Sequence, residues 1–416
     1  MDVFESLESE VRSYCRGWPA VFRKATGSHV YDEDGRAFLD FFAGAGTLNY
    51  GHNNPRLKEK LLLYLADDNI VHSLDMHTVA KRDFLETFQK VILEPRKLDY
   101  KIQFPGPGGA NAVEAALKLA RKYTGRETVV SFTNAFHGMS LGALAVTGNS
   151  MKRSGAGIAL NHTIPMPFDN YLDGQTPDFL LFERLLGDSG SGLDEPAAVI
   201  VETVQGEGGL NVATVDWLRG LAELCKRHEI LLIVDDVQMG CGRTGAFFSF
   251  EDAGIHPDIV CLSKSLSGYG LPFAVTLLRP ELDVWEPGEH NGTFRGPAPA
   301  FVTAAAAMEL FWTGEGMEKQ TVAKGEQIEG VLGRVAARHS EDVTGVRGRG
   351  MVQGIALAEP ENAAAVCAAA FESGLLMETS GPESEVVKLL PPLTATSDEL
   401  TEGLDILADS MDAVLA

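Results

Sequence analysis

From about residue 51 to residue 315, short apolar runs alternate with stretches whose apolar residues recur at the spacing of a helix. The clearest apolar runs are residues 197–201, 230–234, 259–262 and 274–278. Helix-period stretches such as 111–123 and 215–228 separate several of these runs. Buried parallel strands are apolar on both faces, and helices connect them. The alternation therefore predicts an α/β domain whose mostly parallel sheet carries helices on both faces.

The length of the chain and its changes of pattern predict more than one domain. With 416 residues, the chain exceeds what one hydrophobic core usually serves, so we expect a large and a smaller domain. Residues 1–50 have the pattern of an N-terminal arm, and residues 51–315 form the predicted large domain. After about residue 340, short predicted strands, one of them over 375–378, mix with helices, which predicts a compact α+β C-terminal domain over 316–416. We expect the arm to pack with this smaller domain.

Acidic residues outnumber basic residues, and this balance disfavours some partners. The 58 Asp and Glu residues against 35 Lys and Arg residues give a formal net charge of -23. Such a surface repels a phosphate backbone, so we expect no nucleic-acid partner. No run of about 18 or more apolar residues is present, so we predict no membrane partner either.

The five cysteines are scattered along the chain, and none forms a Cys-x-x-Cys pair. This usage favours a reducing compartment and argues against a disulfide framework or a zinc site. The charged N-terminal segment does not have the pattern of a signal peptide. We therefore predict a cytoplasmic protein without a metal site.

The apolar run at 230–234 leads directly into two carboxylates, Asp235 and Asp236. In a parallel sheet, the carboxyl ends of the strands face the ligand crevice. A buried carboxylate at that position is unfavourable unless a cation or a proton donor meets it. By itself the pair fits a helix cap or an ion pair at the sheet edge as well as it fits a ligand site. The residues at the neighbouring strand ends must decide between these roles.

Another apolar run, at 259–262, is followed by Lys264 among small residues. Most lysines lie on the surface, but this one follows a buried strand and should reach the same sheet edge as Asp235. Partial burial lowers the pKa of a lysine and favours the neutral amine that forms an imine. Pyridoxal phosphate requires such a pair, because the carboxylate keeps its ring nitrogen protonated and the lysine holds its aldehyde.

A glycine-rich turn at 105–110 opens the helix-period stretch at 111–123. The free backbone N–H groups at such a helix N-terminus bind a phosphate well. Most glycine-rich turns bind nothing, and this one lacks the pattern of a nucleotide-binding P-loop. The turn supports a phosphate site only in combination with the strand ends.

Three more segments add aromatic or polar groups to the predicted site. Phe136 and His137 follow a predicted strand at 129–132, where the phenylalanine could stack on a planar ring or fill the core. Polar groups also occur at 202–209, after another apolar run, and at 292–296. No single segment decides the function, but five such features follow one another in order along one α/β domain.

This ordered set resembles the class III aminotransferases, which belong to the fold type I pyridoxal phosphate enzymes. The most specific matches are Asp-Asp-Val-Gln-x-Gly-x-Gly-Arg-Thr-Gly at 235–245 and Ser-Lys-Ser at 263–265, and the likeness runs from about residue 20 to the C-terminus. The resemblance implies that the mostly parallel sheet has seven strands. It also implies that Lys264 holds the cofactor as a Schiff base, that Asp235 pairs with the ring nitrogen and that Gln238 lies near the ring hydroxyl.

The same resemblance assigns residues to the ring and to the phosphate of the cofactor. Phe136 would stack on the ring, with His137 beside it. The backbone N–H groups of Gly109 and Ala110 would bind the phosphate. Thr293 would reach the phosphate of the neighbouring subunit, which implies a homodimer with shared active sites.

Within the class, the chain is most similar to a branch that serves ectoine synthesis. The segments that carry this likeness are 41–55, 74–76, 288–296 and 386–392. The implied reaction moves the amino group of L-glutamate to L-aspartate 4-semialdehyde and yields L-2,4-diaminobutyrate and 2-oxoglutarate. Glu207 resembles a gating glutamate that admits or releases a substrate carboxylate. Arg295 and Lys388 are the candidates for binding substrate carboxylates.

Several residues depart from the family's pattern and leave other functions open. Pro105, Gly108 and Ala110 stand where hydroxyl residues are usual in the phosphate loop, and residues 297–299 read Pro-Ala-Pro. These changes suggest a second reaction with the same cofactor: elimination, replacement or carbon–carbon bond formation from the same stabilised carbanion. A third hypothesis is a non-enzymatic binding protein on this scaffold, which the presence of Lys264 disfavours.

Overall fold

The computed structural model describes residues 3–172 and 179–416. The N-terminal region consists of short helices and a small group of strands. In chain order its elements are α1 Val3–Leu7, α2 Tyr14–Gly17, β1 Phe22–Thr26, β2 His29–Asp32, β3 Ala37–Asp40, α3 Ala43–Gly46, α4 Pro55–Ala66, α5 Val79–Thr87 and α6 Glu94–Arg96. A π-helical segment, Phe88–Leu93, joins the last two helices.

The central region contains the large sheet. Its elements in chain order are β4 Lys101–Gln103, α7 Gly109–Thr124, β5 Val129–Phe132, α8 Leu141–Ala145, α9 Ser150–Ser154, β6 Thr163–Met166, α10 Leu180–Gly187, β7 Ala198–Val201, β8 Val204–Gln205, β9 Asn211–Val212, α11 Val215–Arg227, β10 Leu231–Asp235, β11 Ile259–Leu262, β12 Val275–Leu278 and α12 Ala298–Phe311. Seven of these strands form one sheet in the order β4-β12-β11-β10-β7-β5-β6. Only β12 runs antiparallel to its neighbours within the described residues, so the predicted mostly parallel α/β sheet is confirmed.

The strand β10 shows why this sheet is buried on both faces. Successive side chains of a strand point to opposite faces. Leu231 and Ile233 therefore belong to the apolar cluster that includes α7, whereas Leu232 and Val234 belong to the cluster that includes α11. Both helices turn apolar faces toward the sheet, and Thr214 caps α11 by accepting a hydrogen bond from the backbone N–H of Trp217.

The C-terminal region combines helices with a second sheet. Its elements are α13 Gly316–Arg338, β13 Val343–Arg349, β14 Val352–Leu357, α14 Pro360–Glu372, β15 Leu375–Leu376, β16 Glu378–Ser380, β17 Val386–Leu389 and α15 Ser397–Val414. Four of these strands form an antiparallel sheet in the order β13-β14-β17-β16. The mixture of strands and helices confirms the predicted α+β character of this part of the chain.

The N-terminal strands form a separate sheet that a C-terminal strand completes. Its order is β1-β2-β3-β15, and Leu375 and Leu376 pair in parallel with Leu39 and Asp40. The sequence predicts one strand over 375–378, and this is wrong, because the chain passes from the arm's sheet to the C-terminal sheet at the buried Met377. The domain boundaries at residues 50 and 315 stay a prediction.

No helix in the described ranges is long and apolar enough to cross a membrane.

Candidate active site

A cavity of about 220 Å³ lies at the carboxyl ends of the parallel strands. The strands β5, β7, β10 and β11 run parallel, so the segments that follow them meet at one edge of the sheet. Eight of the predicted site residues line this cavity. They are Gly109, Ala110, Phe136, His137, Glu207, Asp235, Gln238 and Lys264.

Asp235, the last residue of β10, is held by a buried histidine. Its Oδ2 lies 2.7 Å from Nδ1 of His137, and its Oδ1 accepts a hydrogen bond of 3.1 Å from the backbone N–H of Val237. Burial alone would lower the pKa of His137, but the hydrogen bond to Asp235 and the charges of Asp235 and Glu202 raise it above its ordinary value. The pair fixes the direction in which the Asp235 carboxylate faces.

Asp236 faces away from this cavity. Its carboxylate accepts hydrogen bonds from the hydroxyl and from the backbone N–H of Ser249, and its side chain is buried. Burial raises the pKa of Asp236 to about 7, although the hydrogen bonds from Ser249 oppose the rise. The two carboxylates at the end of β10 therefore have different surroundings: Asp235 lines the cavity, and Asp236 packs behind it against Ser249.

Glu202 opens the polar segment at 202–209 that the sequence singles out, although the sequence assigns this carboxylate no role. It lines the cavity next to His137 and accepts a hydrogen bond of 2.9 Å from the backbone N–H of Phe136. Burial raises its pKa to about 7. Glu202 directly follows β7, as Asp235 ends β10, which is the strand-end pattern that singles out its segment in the sequence.

Lys264 opens a short 3₁₀ turn, Lys264–Ser267, two residues after β11. Its Nζ donates a hydrogen bond of 2.9 Å to the backbone carbonyl of Ala45 in the N-terminal arm. Burial lowers the pKa of Lys264, and the nearby charge of Lys388 adds to the effect while that of Glu207 opposes it. The environment thus favours the neutral amine more than water does.

The same arm carbonyl also positions Gln238. Nε2 of Gln238 donates hydrogen bonds to the carbonyl of Ala45, at 3.1 Å, and to Oε1 of Glu207, at 3.2 Å. Sequence reasoning missed Ala45, because a backbone carbonyl has no signature in the side-chain pattern. The N-terminal arm therefore forms one wall of this site.

The residues of the cavity fit pyridoxal phosphate. The buried atoms Nε2 of His137 and Oε1 of Gln238 have no hydrogen-bond partner among the described residues, so they can meet a polar ligand. The helix α7 begins at Gly109, and a Cβ added there would lie 2.7 Å from a methyl group of Val237. Only glycine therefore fits at this position without a shift of Val237, and the N–H groups at the helix N-terminus are suited to bind a phosphate.

Glu207 and Lys388 meet at the side of the cavity, together with a second glutamate. Nζ of Lys388 lies 3.0 Å from Oε1 of Glu207 and 2.7 Å from Oε1 of Glu378. Lys388 is fully buried, and the two carboxylates raise its pKa although burial opposes this. Burial would raise the pKa of Glu207, but the charges of Lys388 and Lys264 lower it to about 2. Sequence reasoning missed Glu378, which pairs with Lys388 across β16 and β17.

The chain by itself does not bring Thr293 and Arg295 to the cavity. Both lie in the loop before α12, where the side chain of Arg295 pairs with Asp75 and Thr293 is exposed. The loop is attached to a neighbouring segment, because the hydroxyl of Ser73 donates a hydrogen bond of 3.2 Å to the carbonyl of Gly296. The predicted roles of these two residues are not tested by a single subunit.

Among the residues that the structure describes, no group of three or more His, Cys, Asp or Glu side chains could hold a metal ion.

The model of the family "Aminotransferase class-III" matches residues 14–411 of this chain. This chain belongs to the class III aminotransferases. The predicted cofactor is thereby confirmed, since the enzymes of this family transfer amino groups with pyridoxal phosphate. Class III membership also confirms the predicted fold type I architecture.

Several class III relatives match over nearly the full length. Proteins named diaminobutyrate--2-oxoglutarate transaminase from Streptomyces anulatus and Streptomyces avermitilis are 69% and 68% identical, and each alignment covers 98% of this chain and 97% of the relative. The protein of the same name from Virgibacillus pantothenticus is 56% identical, with all of both chains aligned.

Solved structures of an aminotransferase and of a transaminase share the fold. An ornithine aminotransferase from Toxoplasma gondii, crystallized with partial occupancy of PLP at its active site, is 26% identical with a TM-score of 0.84. The alignment covers 99% of this chain and 93% of that one. A transaminase from the marine bacterium Virgibacillus is 19% identical with a TM-score of 0.87, and the alignment covers 99% of this chain and 98% of that one. At this identity the likeness supports the fold alone.

Proposed function

We propose that this chain transfers the amino group of L-glutamate to L-aspartate 4-semialdehyde, which yields L-2,4-diaminobutyrate and 2-oxoglutarate. The observation that carries this proposal is the 69% identity, over 98% of the chain, to a relative named for the interconversion of diaminobutyrate and 2-oxoglutarate. The cavity supports it, because eight predicted site residues meet there. Such a reaction would belong to ectoine synthesis.

Lys264 and Asp235 would carry the chemistry. When bound, pyridoxal phosphate supplies an aldehyde that condenses with amines and a protonated ring that accepts electrons. The amine of Lys264 would hold the cofactor covalently and, once exchanged for the substrate amine, its Nζ would move a proton. The carboxylate of Asp235, directed by His137, would keep the ring nitrogen protonated.

The other residues that line the cavity would hold the cofactor in place. Phe136 supplies an aromatic face for stacking, and His137 lies beside it. The side chain of Gln238 would meet the ring hydroxyl. The N–H groups of Gly109 and Ala110, at the start of α7, would bind the phosphate.

Glu207 would act as the gate between the two half-reactions. L-Glutamate has a carboxylate on its reacting carbon, whereas the reacting carbon of L-aspartate 4-semialdehyde has none. Lys388 can receive that carboxylate only when Glu207 leaves it, because both need the same ammonium group. Glu378 lies on the neighbouring strand and would keep the buried Lys388 paired while Glu207 is away from it.

The exposed loop with Thr293 and Arg295 supports a homodimer with shared active sites. Thr293 is exposed and lies outside the cavity of its own subunit, so it is free to reach the cofactor phosphate of a partner. Arg295 would then approach a substrate carboxylate from the same loop. The five cysteines are unpaired, which supports the expected cytoplasmic location.

Product analysis tests the proposed reaction. The holoenzyme is incubated with L-glutamate and L-aspartate 4-semialdehyde, and mass spectrometry should detect L-2,4-diaminobutyrate and 2-oxoglutarate in equal amounts. Borohydride reduction and peptide mass spectrometry should locate the cofactor on Lys264. If the cofactor is found there but no diaminobutyrate forms, the assay points to elimination, replacement or carbon–carbon bond formation instead.

The variant Lys264→Ala is the control for this assay. It should still bind pyridoxal phosphate non-covalently and should make no product, because no other amine lines the cavity within the described residues. Turnover by this variant would refute the assignment of Lys264.

A further inference from the structure

A second cavity lies outside the first, and Phe136 forms part of the wall of both. The outer cavity is bounded by the N-terminal arm, by α9, by α14 and by β16 with the loop that follows it. Its lining includes Tyr14, Lys152, Glu207, Glu378 and Ser380. A substrate that reacts at Lys264 and extends past Phe136 therefore enters this space.

Lys152 is a cation of the outer cavity that no carboxylate neutralises within the described part of the chain. Its Nζ lies 4.3 Å from the ring centroid of Phe136, and neither an ion pair nor a hydrogen bond engages that atom there. The other lysine near this space, Lys388, already lies between Glu207 and Glu378. Lys152 is thus available to bind an anion.

The backbone of α9 holds Lys152 in this position. Asn149 caps the helix by accepting a hydrogen bond of 3.0 Å from the backbone N–H of Lys152. The next residue, Arg153, donates hydrogen bonds to the carbonyls of Leu144, Ala145 and Thr147, at 3.2, 2.9 and 2.8 Å. Arg153 therefore attaches α9 to the segment 144–147, while the side chain of Lys152 lines the outer cavity.

The chemistry of the two amino-group donors indicates what this cation would bind. In L-glutamate the side-chain carboxylate is three carbon–carbon bonds from the reacting carbon. In L-2,4-diaminobutyrate, which reacts at its terminal amine, the carboxylate is also three carbon–carbon bonds from the reacting carbon. One cation at a fixed distance from the reacting atoms therefore suits both half-reactions.

We infer that Lys152 binds the distal carboxylate of both amino-acid substrates. This inference rests on the proposed function, because it concerns the substrates named there. Three acidic residues also line the outer cavity, but Glu207 and Glu378 are paired with Lys388 and Glu383 is exposed to solvent. The face of Phe136 would hold the ammonium group of Lys152 in place until a carboxylate arrives.

Matched pairs of amines test this assignment in single-turnover half-reactions of the holoenzyme. L-Norvaline has the chain of L-glutamate with a methyl group in place of the distal carboxylate. 1,3-Diaminopropane is diaminobutyrate without its carboxylate. In Lys152→Met, the apparent Kd of glutamate and of diaminobutyrate should rise roughly 10- to 100-fold, as for a lost charge-assisted hydrogen bond. The Kd of the two analogues and the rates at saturation should change little.

Calorimetry gives a readout that does not depend on turnover. Glutarate, a dicarboxylate without an amine, should bind Lys152→Met more weakly than the unaltered holoenzyme, and Lys152→Arg should restore most of the affinity. The matched control is Lys24→Met, since Nζ of Lys24 also lies over a ring, that of Tyr31, at 5.7 Å but outside both cavities. This control should leave every constant unchanged.

If Lys152→Met weakens the binding of an amino acid and of its analogue without the carboxylate by the same factor, the inference is overturned. Lys152 would then act through Phe136 or through the fold. Unchanged constants, or an effect on only one of the two amino acids, would overturn it as well. If the unaltered enzyme does not accept diaminobutyrate at all, the proposed function fails. The comparison of glutamate with norvaline still decides the role of Lys152 in that case.

Discussion

Asp235 and Asp236 are neighbours in the sequence, yet they have opposite surroundings. Alternation of side chains about the backbone directs Asp235 toward His137 and the cavity, and Asp236 toward Ser249. Sequence reasoning could not choose between a ligand site and a structural role for this pair. The hydrogen-bond partners make the choice, and they come from residues distant in sequence.

Asp235→Asn should lower kcat/KM for transamination by at least about 100-fold, because an amide cannot keep a ring nitrogen protonated. The cofactor should still be found on Lys264 after borohydride reduction. The matched control is Asp236→Asn, which changes the adjacent residue in the same way but behind the cavity. Steady-state kinetics that fall equally in both variants would contradict the separate roles of these neighbours.

Two buried carboxyl groups should make stability depend on pH. Burial raises the pKa of Glu202 and of Asp236 to about 7, from ordinary values of 4.5 and 3.8. Between about pH 4.5 and pH 7, the folded protein keeps protons that the unfolded chain has released, so the free energy of unfolding falls as pH rises. Glu202→Gln and Asp236→Asn should each flatten this fall in urea unfolding, whereas Glu86→Gln at an exposed position should not.

Two residues of the site, Ala45 and Glu378, could not be predicted from the pattern of side chains along the sequence. Ala45 contributes a backbone carbonyl, which every residue has, so nothing in the sequence distinguishes it. Glu378 contributes a carboxylate, but its meeting with Lys388 depends on the register of β16 and β17. In contrast, Lys264 and Asp235 follow buried apolar runs, which the order of residues along the chain is enough to reveal.

At the scale of elements, the burial pattern predicted strands well where they lie in the middle of a sheet. The predicted run at 259–262 coincides with β11. The run at 230–234 differs from β10 by one residue at each end, and the run at 197–201 differs from β7 by one residue at its start. These strands are apolar on both faces, which makes the pattern unambiguous. The run at 375–378 begins with three apolar residues, and yet the chain divides it between two sheets, since apolarity does not specify a partner strand.

The helix α15 offers a test of local stability. Thr396 accepts a hydrogen bond of 3.1 Å from the backbone N–H of Glu399, and the carboxylate of Glu399 accepts one of 2.7 Å from the backbone N–H of Thr396. Thr396→Ala should therefore lower the free energy of unfolding by about 1 kcal/mol, as measured by urea denaturation. Thr401→Ala, within the same helix, should cost less. An equal loss in both variants would mean that the cap contributes nothing specific.

At the scale of the whole molecule, the loop with Thr293 lies outside the cavity of its own chain. A contact with a partner subunit leaves no pattern of burial within one chain. The loop is therefore predicted only from the resemblance to the family. The exposed position of Thr293 and the pairing of Arg295 with Asp75 describe a single subunit. Their predicted roles are therefore tested in a dimer.

Mixed dimers provide that test. Lys264→Ala lacks the lysine, and Thr293→Glu places a charge that repels the cofactor phosphate, so each homodimer should be nearly inactive. A heterodimer of the two should regain one complete site of two, with Lys264 from one subunit and Thr293 from the other. Size-exclusion chromatography with light scattering should show dimers throughout. Mixed dimers without activity would exclude a site shared in this way.

The two residues of β15 bear on the order in which this protein can be made. The strands β1 to β3 leave the ribosome long before Leu375 and Leu376, the two residues that complete their sheet. Until then the edge of β3 has no partner strand and is open to pairing with other chains. The carbonyl of Ala45, in the segment that follows β3, accepts the hydrogen bond from Lys264. We expect this wall of the site to form only once the edge of β3 is covered. Nascent chains of this enzyme should therefore gain their cofactor site only after Leu375 and Leu376 have been synthesised.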